Sequence, residues 1–119
     1  MRPDYRKAML ESQITKLITE ALREAKDPKL KDLLITISRS ELSNDKRFVD
    51  IYVSVMGNKD ERVKIVEYLN KIKGYFRTYL ANNLDLYTAP QVRFKEDPGI
   101  EASVKIQQIL DKIKEEKTE

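Results

Sequence analysis

Between Val63 and Leu84 the apolar residues Val66, Leu69, Ile72, Phe76 and Leu80 recur at spacings of three and four. That is the period of a helix with one buried face. Asn58, with Glu61 three residues on, resembles a capping box that starts the segment, which then runs to about Leu86. A continuous helix of that span would be roughly 40 Å long at ~1.5 Å per residue. A compact domain of this size is only about 35 Å across. A bend is therefore expected, and Gly74, about 1 kcal/mol worse than alanine inside a helix, is the natural place for it.

The same patterning assigns the rest of the chain. Leu10, Ile14, Leu17, Ile18, Ala21 and Leu22 form the apolar stripe of a first helix from about Pro3 to Ala25. Asp27-Pro28 stops it, because the residue before proline is pushed out of the helical region. Leu33, Ile35 and Ile37 then alternate with Leu34, Thr36 and Ser38, and Val49, Ile51, Val53 and Val55 alternate with Asp50, Tyr52 and Ser54. These are two half-buried strands, joined as an antiparallel hairpin by the polar linker Ser43-Asn44-Asp45-Lys46-Arg47. Pro90 opens a third strand with Val92 and Phe94 inward and Arg93 and Lys95 outward. Asp97-Pro98 reads as the start of a last helix that buries Ile106, Ile109, Leu110 and Ile113. The order α-β-β-α-(bend)-α-β-α describes one α+β domain over residues 1–119, with a three-stranded sheet carrying its helices on one face.

Composition narrows the chemistry. The chain has neither cysteine nor histidine, which removes disulfides, thiolate metal sites, the commonest metal ligand and the commonest general base near neutral pH. No P-loop, GxGxxG or metal-ligand spacing occurs, and no cofactor, small-molecule substrate or enzymatic activity is expected. No apolar run approaches membrane-spanning length and the N-terminus lacks the apolar core of a signal peptide, so the expected compartment is the cytoplasm. Abundant Lys and Glu without Cys fit a heat-loving source.

Net charge is only +3, but its distribution is uneven: residues 59–95 carry eight Lys/Arg against four acids, and residues 96–119 carry four against seven. No acid falls between Glu67 and Asp85, and Lys71, Lys73 and Arg77 crowd around Gly74. Cations at a helix bend can hold nucleic-acid phosphates while a glycine lets the backbone approach; the same residues can equally form an ordinary solvated face. Arg6 and Lys7 on the first helix and Arg93 and Lys95 on the third strand could widen that surface. Lys46 and Arg47 are weaker candidates, because Asp45 and Asp50 flank them. Tyr75, beside the bend, is a candidate for base stacking. Tyr79 fits partial burial better, and Tyr52 fits an amphipathic cover on the polar sheet face.

The element order is that of the type II KH domain, and the chain resembles the ribosome-binding factor A family. The resemblance spans nearly the whole chain. It rests on Asp27-Pro28-x-Leu30, Ile35-Thr36-Ile37, Tyr52-Val53-Ser54-Val55-Met56-Gly57, Gly74-Tyr75-Phe76-Arg77, Pro90-x-Val92-x-Phe94 and Asp97. In that family an Ala-x-Gly bend replaces the KH GXXG loop; the matching triplet here is Ile72-Lys73-Gly74, which keeps the glycine and not the small residue. The resemblance implies a non-enzymatic assembly factor, and since nothing in the sequence demands a dimer, a monomer is expected. It would dock on the immature 30S subunit and assist late 16S rRNA maturation, including processing at the 5′ end. The basic residues at the bend would be its RNA contacts. A general single-stranded RNA binder of KH-like fold and a module for an acidic protein partner are the other classes open to such a surface.

Overall fold

The computed structural model describes residues 3–31, 33–97 and 108–113. Helix α1 (Pro3–Glu24) leads into strands β1 (Ile35–Leu42) and β2 (Phe48–Val55), helices α2 (Lys59–Lys71) and α3 (Lys73–Asn83), and strand β3 (Gln91–Glu96). A further helical stretch covers 108–113. The sheet order is β1-β2-β3, with β1 antiparallel and β3 parallel to the central β2. This is the α+β architecture expected from the element order.

Burial explains the layering. Val49, Ile51 and Val53 of β2 are fully buried, while Tyr52 between them and Ser54 beyond face the open side of the sheet. Against that inner face pack Ile14, Ile18 and Ala21 of α1, Leu69 of α2, and Phe76 and Leu80 of α3. The rings of Phe76 and Phe94 meet edge to face at 4.9 Å, locking α3 onto β3. A side chain meets the strand backbone at one residue on each edge of the sheet. On β3 the Asn70 amide accepts from Phe94 N–H (2.8 Å) and donates to its carbonyl (3.0 Å). On β1, Glu11 accepts from Leu42 N–H at 2.8 Å. Each such bond satisfies a backbone group that the outer side of an edge strand leaves without a strand partner.

Four expectations need correction. First, β1 begins at Ile35 rather than Leu33 and continues to Leu42, through an irregularity that leaves Ser38 unpaired. Leu33 and Leu34 precede it, exposed. The extra residue shifts the side-chain phase, so that Ile37 and then Ser40 and Leu42 point inward. Buried Ser40 is satisfied by Thr15, whose Oγ1 lies 2.7 Å from its own.

Second, the helix breaks at Ile72, not at Gly74. Ile72 (φ −102°, ψ 20°) closes α2 and opens α3, whereas Gly74 is the second residue of α3 and has no positive φ. The Ile72 N–H bonds back to the Asn70 and Tyr68 carbonyls, and Tyr75 N–H bonds to the Ile72 carbonyl at 3.1 Å. These tight bonds make the corner. Third, overall size does not force it: the molecule measures 59 × 42 × 17 Å with a radius of gyration of 17.3 Å, longer and flatter than a compact sphere. Fourth, Ile109, Leu110 and Ile113 are exposed, not buried. Asp97 follows β3 as expected; Pro98 and Ile106 lie outside the described residues.

Candidate nucleic-acid interface

The corner at Ile72 is where the chemistry concentrates. The first N–H groups of any helix lack partners within it. In α3 no side chain caps them and no acid lies in the first turn. Lys71, Lys73, Gly74 and Arg77 are all exposed. With Gln91 and Val92 of β3 they line a groove of about 300 Å³ between the corner and the sheet edge. Lys71 also sits in the last turn of α2, where a cation complements the helix dipole.

Gly74 has no internal reason to be glycine. A Cβ built on it meets nothing within 4 Å, and its backbone is helical. Gly57 is the opposite case: its φ is +134° and a Cβ there would lie 2.6 Å from Glu61 Oε2. Gly57 is thus required by the turn that launches α2, while Gly74 leaves open space in front of the α3 N-terminus.

The other sequence candidates fall in three places. Tyr75 is partly exposed, but its hydroxyl donates to the Ala21 carbonyl at 2.6 Å, and burial pushes its pKa up. It ties α3 to α1. Tyr79 is half-buried, with its pKa raised first by burial and then by Glu24. Arg93 and Lys95 lie on the open sheet face and share one carboxylate, at 2.7 Å and 3.1 Å from the two oxygens of Asp50. Beside them Tyr52 lies under the Arg39 guanidinium (4.1 Å to the ring centroid) and donates to Glu41 at 3.3 Å, as a cover for the sheet. Arg6 is exposed at the start of α1, and Lys7 reaches Asn44 of the hairpin loop at 3.4 Å.

One region was undervalued from sequence. The Gln91 N–H bonds to the Arg47 carbonyl at 2.8 Å, so the parallel β2–β3 pairing draws the hairpin loop against the α3–β3 connection. Lys46 and Arg47 are thereby brought to the same groove as Arg77 and Tyr87. Only the strand pairing reveals this, because these residues lie 30 or more positions apart in the chain.

Among the described residues no group of His, Cys, Asp and Glu could hold a metal ion, and no helix is long and apolar enough to cross a membrane.

Comparison with known proteins bears on the family and the fold. The profile of the ribosome-binding factor A family matches residues 6–110. A ribosome-binding factor A from Pseudothermotoga lettingae is 82% identical over 119 residues, covering 100% of both chains. The solution NMR structure of a Thermotoga maritima ribosome binding factor A superposes with a TM-score of 0.72 at 59% identity, covering 85% of this chain and 95% of that one. A homology model of Thermus thermophilus ribosome binding factor A, as fitted into an electron-microscopy map of a 30S complex, shares the fold. Its TM-score is 0.63 at 22% identity, over 79% of this chain and 98% of that one. With a family match over most of its length and a relative this similar from end to end, the chain belongs to the ribosome-binding factor A family.

Proposed function

We propose that this protein binds the immature 30S subunit as a monomer in the cytoplasm and assists late 16S rRNA maturation, including 5′-end processing, without catalysing a reaction itself. The observation that carries this reading is the uncapped N-terminus of α3, fronted by Gly74 and flanked by Lys71, Lys73 and Arg77. Donors at a helix N-terminus and surrounding cations favour a phosphate group, and phosphate contacts position a protein on RNA without reading its bases. Family membership supports the choice of RNA, and the Thermus relative's 30S complex supports the choice of particle. Arg6, Lys7, Tyr75, Arg93 and Lys95 are the proposed periphery of that surface, with the corner as its centre.

Sedimentation binding to immature and mature 30S subunits over a salt series tests the reading. Three phosphate contacts give a log–log slope of about −2 to −3, or a loss of about 15- to 60-fold between ~50 and ~200 mM salt. Binding to immature subunits with that slope, resisting competition by bulk single-stranded RNA, is the expected result. Equal capture by bulk RNA would make the protein a general single-strand binder. Salt-insensitive association that survives ribonuclease would make the surface a protein-docking module instead.

A further inference from the structure

Tyr87 is the most exposed large hydrophobic side chain among the described residues, at 107% of its reference area, on the short connection between α3 and β3. An aromatic ring standing entirely in water contributes nothing to the core. Its surroundings show what it suits. It lines a groove of about 550 Å³ together with Lys46, Arg47 and Asp45 of the hairpin loop, and Arg77 of α3. That volume lies within the range of sites that hold small ligands.

The walls are held in place. The Ser43 hydroxyl donates to Asp45 at 2.7 Å, and Arg47 N–H donates to the same carboxylate oxygen at 3.1 Å. These bonds keep the Asp45 carboxyl below the usual carboxylate range and occupy it within its own loop. The Arg47 guanidinium stays largely exposed, 3.9 Å from Asp45. Three cations thus face one carboxylate that is already engaged. Arg77 reaches the Ala89 carbonyl at 3.5 Å on the Tyr87 side, and both Arg77 and Gln91 also line the groove at the α2–α3 corner. The two grooves therefore share a wall and form one track.

The geometry points to a second RNA subsite in this groove, in which an unpaired base stacks on Tyr87 while Arg77, Lys46 and Arg47 hold the phosphates on either side of it. An exposed aromatic face beside cations is the arrangement that single-stranded nucleic acid recognises, because every base offers a π-face. The inference rests on the RNA-binding reading above. It adds to that reading a contact with a base, a second groove, and two residues from the hairpin loop.

The test uses the full chain. Tyr87→Ala lowers affinity for immature 30S subunits about ten-fold, whereas Tyr87→Phe, which keeps the ring, binds like the native protein. Thermal melting of both variants matches the native chain, since Tyr87 packs on nothing. The chain has no tryptophan, so Tyr87→Trp supplies a single reporter. Its fluorescence is quenched on binding, and ultraviolet cross-linking followed by nuclease digestion leaves a nucleotide adduct at position 87. Native affinity in Tyr87→Ala, alongside loss of binding in a Lys73→Glu, Arg77→Glu variant, would overturn the subsite and leave the RNA-binding reading standing. A cross-link from position 87 to a ribosomal protein would also overturn it. Failure of the native chain to bind 30S subunits at all would overturn both.

Discussion

Replacing Gly74 with alanine should make the protein more stable and a poorer RNA binder. Beyond its own turn of helix the added methyl meets nothing within 4 Å, and Gly74 already has helical backbone as the second residue of α3. Alanine in place of glycine in a helix interior gains about 0.5–1 kcal/mol, largely by restricting the unfolded chain. At the first turn the lower half of that range applies. For a domain of this length, about 4 °C per kcal/mol converts the gain to a rise of about 2–3 °C in melting temperature. The cost falls on binding. Cβ atoms in a helix tilt toward its N-terminus, so the methyl projects into the space through which a phosphate would reach the first N–H groups of α3. Loss of one hydrogen bond to a charged group costs ~1.5–3 kcal/mol, which is a drop of at least about ten-fold in 30S affinity. Gly57→Ala is the control. It forces an L side chain to φ +134° and a 2.6 Å clash with Glu61, and melts lower by several degrees. Calorimetric melting and sedimentation binding of both variants provide the assay. A Gly74→Ala protein that melts lower than native, or melts higher yet binds 30S undiminished, would refute the argument that this glycine is kept for approach and not for folding.

Asn70→Ala removes three hydrogen bonds, to the Val66 carbonyl and to both backbone groups of nearly buried Phe94. It should cost about 2–4 kcal/mol in urea unfolding; a loss under about 1 kcal/mol would mean that the β3 edge finds other partners. Phe76→Ala empties the contact between α3 and β3 and should cost about 3–5 kcal/mol, read the same way, with a smaller loss showing that the core closes over the gap. The Tyr68 hydroxyl and then the Lys29 N–H, both donating to Asp27, hold its carboxyl below the ordinary value near ~3.9. A depressed carboxylate contributes stability that is present above that value and lost as pH falls through the folded-state one. Denaturant midpoints from neutral pH into this acid range should fall less steeply in Tyr68→Phe than in the native chain, and parallel curves would contradict the linkage.

The apolar pattern made the layers legible, because period-two and helical spacings report which face is buried whatever the partner. It failed where backbone irregularity or tertiary pairing decides. Past Ser38, strict alternation in β1 would turn Arg39 and Glu41 into the core; the irregularity at that residue rescues the phase, and no residue type announces it. Gly74 drew attention as the weakest helix former, yet the chain turns at β-branched Ile72, whose carbonyl accepts the tightening bond from Tyr75. The glycine still marked the right corner. Ile109, Leu110 and Ile113 show helical spacing, which predicts an amphipathic face but not a surface to receive it; in 108–113 that face is exposed. The kink cations were visible as a run without acids. The groove at Tyr87 was not, because Arg47 and Tyr87 become neighbours only through the parallel register of β2 and β3.

In the function proposed above, the basic corner between α2 and α3 is the surface that meets the ribosome. Gradient co-sedimentation of immature 30S subunits with the native chain and with a Lys73→Glu, Arg77→Glu variant tests it most directly, with circular dichroism confirming that the variant is folded. Both side chains are exposed, so the fold should survive the change. The native chain should travel with the subunit and the folded variant should remain at the top of the gradient. Equal co-sedimentation of the two would contradict the claim and move the contact surface away from the corner.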